Sequence, residues 1–455
     1  MNIAILSGFL IFMLVIGFFS FKKINSLSSF YVSSRNTSSM WLAGSIVASA
    51  IGGSATLGLA GLSFSKGLPG AWWLISGSLC MMILAALWAK KVREYGVYTL
   101  PEILEKQYNS RALKLVSSIV IIAAWTGIIS AQMIAAGKIL DTLWPGYYSF
   151  FVVLCGVVFI FYTVIGGQIS IIKTDFFQAL LIFTGIALML ITAFAKYGSP
   201  LSLNLPETFL SFPVNSYFSY KDILMFFLFV GTSFIAGPDI YSRILSARDS
   251  KTAQKSLFIS AFMIMVIALA VTFIGIYAKG LIPHVTAEGA FLNLAINTLP
   301  EGLKGLLFAA LLAAVMSSAD TCLLTSGVIL SADILKPVFY KAANEAKELM
   351  YTRIIILILG VLSLCIALYI DGIIKALLFA LTVYTSGIII PVLFGFYREK
   401  FSLNGAGAIC ACTLGGGTAL FMEITGMNQY QIYIFPVSVF ILFFVSRVFD
   451  RVNFY

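Results

Sequence analysis

The stretch Leu306–Asp333, LLFAALLAAVMSSADTCLLTSGVILSAD, limits the folds open to this chain more than any other. It is as apolar and as long as a helix that crosses a lipid bilayer, yet its middle carries Ser317, Ser318, Asp320 and Thr321. Backbone in hydrocarbon must satisfy its own polar groups, so the stretch reads as a helix. On a helix Ala314, Ser317, Ser318, Thr321 and Thr325 follow at i, i+3, i+4, i+7 and i+11. They form one stripe of small and hydroxyl-bearing side chains, with Asp320 at its edge. Hydroxyls alone in such a stripe serve close helix packing and bonds to their own backbone. A carboxylate is different, because in a bilayer core it must face protein, water or an ion. With Asp320 included, the stripe reads as a wall of a cation path.

Composition extends this reading to all 455 residues. With 60% hydrophobic and 11% charged residues, the chain is an all-α polytopic membrane protein. Its net charge of +10 is then no footprint of nucleic acid; basic residues in loops set orientation instead. The partner this implies is the lipid bilayer. Six cysteines lie in apolar stretches without metal or disulfide spacing and read as small buried hydrophobes. One histidine, His284, sits in a loop. This inventory argues against a metalloenzyme, a haem protein or an organic cofactor.

Asn2–Phe21 is a first span with Lys22 and Lys23 behind it and no basic residue before it, which places the N-terminus outside. Further spans are predicted near 39–63, 70–90, 112–140, 147–165, 169–195, 222–243, 254–278, 303–333, 350–370, 373–396, 405–424 and 430–447, about thirteen in all. External ends then hold only Lys66, Lys138, Lys196, Lys221, Lys279, Lys304 and Lys375, and no arginine. A wrong helix count would invert that bias beyond the error, so an odd count and a cytoplasmic C-terminus with Arg447 and Arg451 are expected. No soluble signalling or catalytic domain is expected after the last span.

Two spans carry helix breakers. Trp41–Ser63, WLAGSIVASAIGGSATLGLAGLS, has Gly52-Gly53 with Ser54 and Thr56 near its middle. Glycines also serve close packing, but an unwound segment would line a midplane binding site. Phe226–Arg243, FFLFVGTSFIAGPDIYSR, has Gly231, Gly237 and Pro238. These are the second and seventh spans. Five helices apart, they suit two inverted repeats whose first members are broken. In Tyr162–Gln178, Asp175 either pairs with Lys173 or a loop donor, or joins Asp320 on the cation route. In Val97–Tyr108, Thr99 caps a short helix with Pro101 in its first turn and Glu102 three residues after the cap.

At these residues the chain resembles the sodium:solute symporter family, which includes sodium-coupled proline, galactose and sialic-acid transporters. The resemblance rests on FYVSSRNTSSMWLAGSIVASAIGGSATLGLAG, YGVYTLPEILEKQY, TVIGGQISIIKTDFFQ, PDIYSRILSARDSKTAQKS and LLAAVMSSADTCLLTSG, in the family's order along the chain. It implies a leucine-transporter-type 5+5 inverted-repeat core in one transporter domain. Residues 1–38 would form the leading helix and loop, 39–196 and 222–397 the two repeats, and 398–455 two trailing helices.

The resemblance also implies a Na+ site with Ala48, Ile51 and Ala314 as carbonyl ligands and Ser317 and Ser318 as hydroxyl ligands. Neutral oxygens suit a hard cation that must leave again. A second cation site or exit path would use Asp175, Asp320 and Thr321. Asp320 departs from the family's usual small or hydroxyl residue there, which keeps proton coupling as the alternative. Ala50 departs too, where some relatives carry a carboxylate. The solute would meet Ser54, Thr56, Trp125, Gln132, Thr232, Ser233 and Phe234, with Tyr384 as a gate. No lysine or arginine is expected at that midplane, so a neutral, zwitterionic or monocarboxylate solute fits. The expected function is Na+-coupled symport by alternating access at the cell membrane. A non-transporting solute sensor is the rival from another class, and an intramembrane enzyme lacks any nucleophile–base arrangement.

Overall fold

A chain whose apolar stretches lie in hydrocarbon has one economical way to satisfy its backbone, and helices dominate here. The computed structural model describes residues 2–21, 24, 26–340, 344–369 and 373–452. Among these the only β-pairings are two isolated bridges, Thr37 with Ala247 and Asn215 with Phe218. The main helices are α1 Asn2–Phe21, α2 Ser39–Ala50, α3 Ser54–Lys66, α4 Leu68–Leu87, α5 Leu100–Tyr108, α6 Arg111–Leu143, α7 Tyr148–Tyr197 and α8 Tyr220–Ser246. They continue as α9 Ser250–Leu281, α10 Ala290–Thr298, α11 Glu301–Phe339, α12 Glu345–Tyr369, α13 Ile373–Gly395, α14 Gly405–Thr425 and α15 Ile434–Val452.

Nine described helices are long and apolar enough to cross a membrane, ten when α2 and α3 count as one bent span. Ala4–Gly17 of α1 and Ala380–Gly395 of α13 are shorter apolar helices, and α7 is long enough for two of the thirteen expected spans. At ~1.5 Å per residue, the 50 residues of α7 run to about 75 Å, more than two bilayer cores. Its joint is Gly167, at φ 54° and ψ −171°. A Cβ on Gly167 would stand 2.5 Å from the Phe30 ring, so both conformation and space demand glycine. Lys22, Lys23 and the Lys375 side chain lie outside the described residues.

α11 is the axis of the molecule. In its membrane window 94% of residues are buried, against 28% at the chain's last span. It packs on α1, α2, α6, α7 and α12. The expected cap of α5 forms: Thr99 Oγ1 accepts the Glu102 N–H at 3.2 Å, and Glu102 Oε2 accepts the Tyr98 N–H at 2.7 Å. Pro101 sits in the first turn. At the same end Arg35 donates to the carbonyls of Gly96 and Val97, and Arg93 to that of Ala247. At the opposite end Lys138 pairs with Glu288. The cysteine reading needs correcting at two positions: Cys365 is exposed on α12 and Cys410 half-buried on α14, where an apolar surface suits a thiol as well as a core does.

Candidate ion and solute site

The first break follows from Gly52-Gly53. Helix α2 ends at Ile51, whose φ of −96° and ψ of 69° leave the helical range, and α3 sets off at 65° to it. The opening faces α11. Ser317 Oγ donates to the Ala48 carbonyl at 2.8 Å and to the Ala314 carbonyl of its own helix at 2.9 Å. Ser318 Oγ donates to the Ser49 carbonyl at 2.6 Å. From α6, Gln132 Oε1 accepts the freed Gly53 N–H at 2.8 Å. A Cβ on Gly52 would lie 2.5 Å from Ser318 Oγ and 2.7 Å from Gln132 Oε1. Glycine is needed there for closeness. The structure thus brings Ala48, Ala314, Ser317 and Ser318 together at the turn that begins with Ile51, and adds the Ser49 carbonyl.

The second break is at Gly237, at φ −60° and ψ 120°, with Pro238 opening the next helical segment of α8. Proline fits that first position because its missing N–H has no intrahelical partner to lose. The Ala236 carbonyl released here accepts the Tyr384 hydroxyl. One turn on, Arg243 is fully buried. Its Nη2 reaches Asp175 Oδ2 at 3.0 Å and also donates to the Thr321 hydroxyl, while its Nε donates to Ser45 Oγ at 3.1 Å. Ser45 in turn donates to Asp175 Oδ2 at 2.5 Å.

This arrangement corrects the expected second cation group. The partner of Asp175 is Arg243, not Lys173, and the same guanidinium takes Thr321. Asp320 turns elsewhere: Thr163 Oγ1 on α7 donates to its Oδ1 at 3.2 Å. Its other oxygen is buried and has no hydrogen-bond partner among the described residues.

Beside the first break lies a cavity of about 100 Å³, roomy enough for several waters or a small solute. Its wall includes Ser49, Gly52 and Ser318 from the break region, so the cavity and the hydroxyl–carbonyl cluster share residues. Of the expected solute residues, Ser54, Trp125, Gln132, Ser233 and Phe234 line it. Thr56 and Thr232 do not; their hydroxyls return to the Gly52 and Leu228 carbonyls of their own segments. Tyr384 stands just behind the wall, edge-on to Trp125 at 4.5 Å between ring centroids. Trp73, Asp239 and Cys322 line the cavity unforeseen. Asp239 had a signal in the sequence, a carboxylate directly after the proline of a predicted break. Among the described residues the cavity lining holds no lysine or arginine.

A family model described as the sodium:solute symporter family matches residues 30–415. The chain belongs to the sodium:solute symporter family. Relatives include the osmoregulated proline transporter OpuE of Bacillus subtilis, 25% identical over 92% of this chain and 88% of its own length. The sodium/pantothenate symporter of Haemophilus influenzae is 26% identical over 92% and 89%. Among solved structures, a Na+-coupled sialic acid symporter in a substrate-bound, outward-open state aligns with TM-score 0.78 at 15% identity, over 98% of this chain and 96% of its own. MhsT in complex with L-phenylalanine aligns with TM-score 0.62 at 13% identity, over 89% and 99%. The fold is that of leucine-transporter-type carriers, and as a member of this symporter family the chain is a Na+-coupled symporter of a small organic solute.

Proposed function

We propose that the ion sits at the first break and the solute in the cavity beside it. One observation carries this reading: Ser317 and Ser318 of α11 reach the carbonyls of Ala48 and Ser49 where α2 unwinds. Turned toward a cation, these hydroxyls and the main-chain oxygens of Ala48, Ile51 and Ala314 offer about five neutral oxygen ligands, enough to replace much of the hydration of Na+. The ligands come from two helices, so a bound ion ties α2 to α11. Ser318, Ser49 and Gly52 also line the cavity, so each ligand shapes the wall of the other's site. Such coupling is reciprocal: solute tightens Na+ by the factor by which Na+ tightens solute. Closure around both, followed by rocking of the repeats 39–196 and 222–397, releases them inward.

Within this scheme Ser54, Trp125, Gln132, Ser233 and Phe234 contact the solute, and Tyr384 braces Trp125 and the second break as a gate element. Asp320, with Thr163, stands on the ion's exit path. The lysine and arginine bias orients the chain in the plasma membrane with the N-terminus outside and the C-terminus in the cytoplasm.

The test is purified protein in proteoliposomes, with solute uptake driven by a Na+ gradient and compared with K+ on both sides. Na+ is expected to stabilise the wild type in thermal melts and to drive uptake, and Ser317→Ala or Ser318→Ala to lose both together. Uptake indifferent to Na+ in wild type and variants alike would refute the reading.

A further inference from the structure

We propose that Asp239 anchors a positively charged nitrogen of the solute. The cavity would then select small zwitterions over simple monocarboxylates and neutral polyols. The inference rests on the solute occupying the cavity beside the first break, and it narrows the class of that solute.

Asp239 is the second residue of the helical segment opened by Pro238 and is half-buried, with the cavity on its open side. Among the described residues no lysine or arginine pairs directly with its carboxylate: Arg243, one turn on, pairs with Asp175 and reaches Asp239 only through the main-chain carbonyl, at 3.4 Å. Among the described residues, Asp239 is also the only charged one that lines the cavity. A solute that is solely anionic would therefore bring a second carboxylate into a low-dielectric space whose lining offers it no cationic side chain, and Arg243 behind the wall is already shared between Asp175 and Asp239. An ammonium would meet a carboxylate acceptor instead, in a charge-assisted hydrogen bond. The aromatic faces of Trp73, Trp125 and Phe234 in the same wall also favour a cation.

A second observation points to the solute's other end. Among the described residues Trp125 Nε1, a buried donor, has no hydrogen-bond partner, and Trp125 lines the cavity. A buried N–H left unmade is costly, so it suits an acceptor oxygen that the solute itself supplies. Ammonium toward Asp239 and carboxylate oxygen toward Trp125 make the occupant dipolar.

The experiment compares triplets in thermal melts of the full-length protein, in NaCl and in KCl. Each triplet is one proteinogenic amino acid, its des-amino carboxylate and its decarboxylated amine. At least one amino acid is expected to stabilise the protein in Na+, with its des-amino carboxylate at least tenfold weaker. Asp239→Asn keeps the shape of the side chain and removes the charge. It is expected to weaken the amino acid at least tenfold, and Asp239→Glu to restore most of the response. The wild-type triplets need no variant, so a poorly folding Asp239→Asn leaves the proposal testable. Des-amino carboxylates as effective as amino acids, an unchanged response in a folded Asp239→Asn, or silence of every ammonium-bearing compound would each overturn it. The shift with Na+ alone, and its loss in Ser317→Ala, reports separately on the ion site.

Discussion

The two broken spans occupy matching places in the chain and are built from opposite materials. At the first, α2 to α3, the loosened backbone meets neutral groups: two serine hydroxyls, a glutamine amide and carbonyls brought close by the absence of a side chain at Gly52. At the second, in α8, a proline opens the next helical segment, one turn later a buried arginine grips a buried aspartate, and Asp239 borders the cavity. Neutral oxygens hold a cation weakly enough to let it go. A fixed ion pair does the reverse and locks helices in register. The comparison teaches that broken-helix symmetry need not mean two similar binding sites. One break is suited to an exchangeable ion, and the other is a braced joint.

Removing one partner of the brace should give the largest effect. Arg243→Met strands Asp175 in the interior and is expected to cost about 3–5 kcal/mol of stability, seen as lost folding yield or a lower melting temperature. Arg243→Met with Asp175→Leu should recover much of it; no recovery would mean that the arginine serves more than the pair. Next comes Gly52→Ala, whose Cβ has no room between Ser318 and Gln132. Overpacking of this kind costs about 1–3 kcal/mol, and here it should appear as weaker Na+ binding. Gly417→Ala on α14, where a Cβ meets nothing within 4 Å, is the matched control and should be neutral or slightly stabilising. Ser317→Ala and Ser318→Ala should each weaken Na+ about tenfold or more in a titration of thermal shift, one charge-assisted contact apiece. The smallest effect is expected from Thr56→Val and Thr232→Val, below about 1 kcal/mol, because those hydroxyls serve their own segments. A large loss of uptake from either would blur the contrast between the breaks.

Much of this contrast was readable before any coordinates. Apolar length located the spans, Gly52-Gly53 and Pro238 located both interruptions, and the Ser317–Ser318 pair stood out against its apolar helix. What periodicity cannot carry is the rotation of one helix against another. Arg243 and Asp175 lie 68 residues apart on different helices, so their meeting had no local signature, and Asp175 was read with Lys173 or Asp320 instead. The same limit misplaced Thr56 and Thr232. A threonine facing its own preceding turn and one facing a cavity look alike in sequence. Trp73 and Cys322 were passed over because aromatic and thiol side chains in an apolar run read as packing.

The near-complete burial of α11 has a consequence for how such a carrier diversifies. A helix with neighbours on almost every side has few positions that can mutate alone, and this one supplies Ser317 and Ser318 to the proposed ion site and Ser318 and Cys322 to the cavity wall. The span of α8 is only 44% buried and contributes Ser233, Phe234 and Asp239 to the same wall. Divergence toward new cargo is therefore expected to begin on that looser flank, while the ion-handling axis changes last.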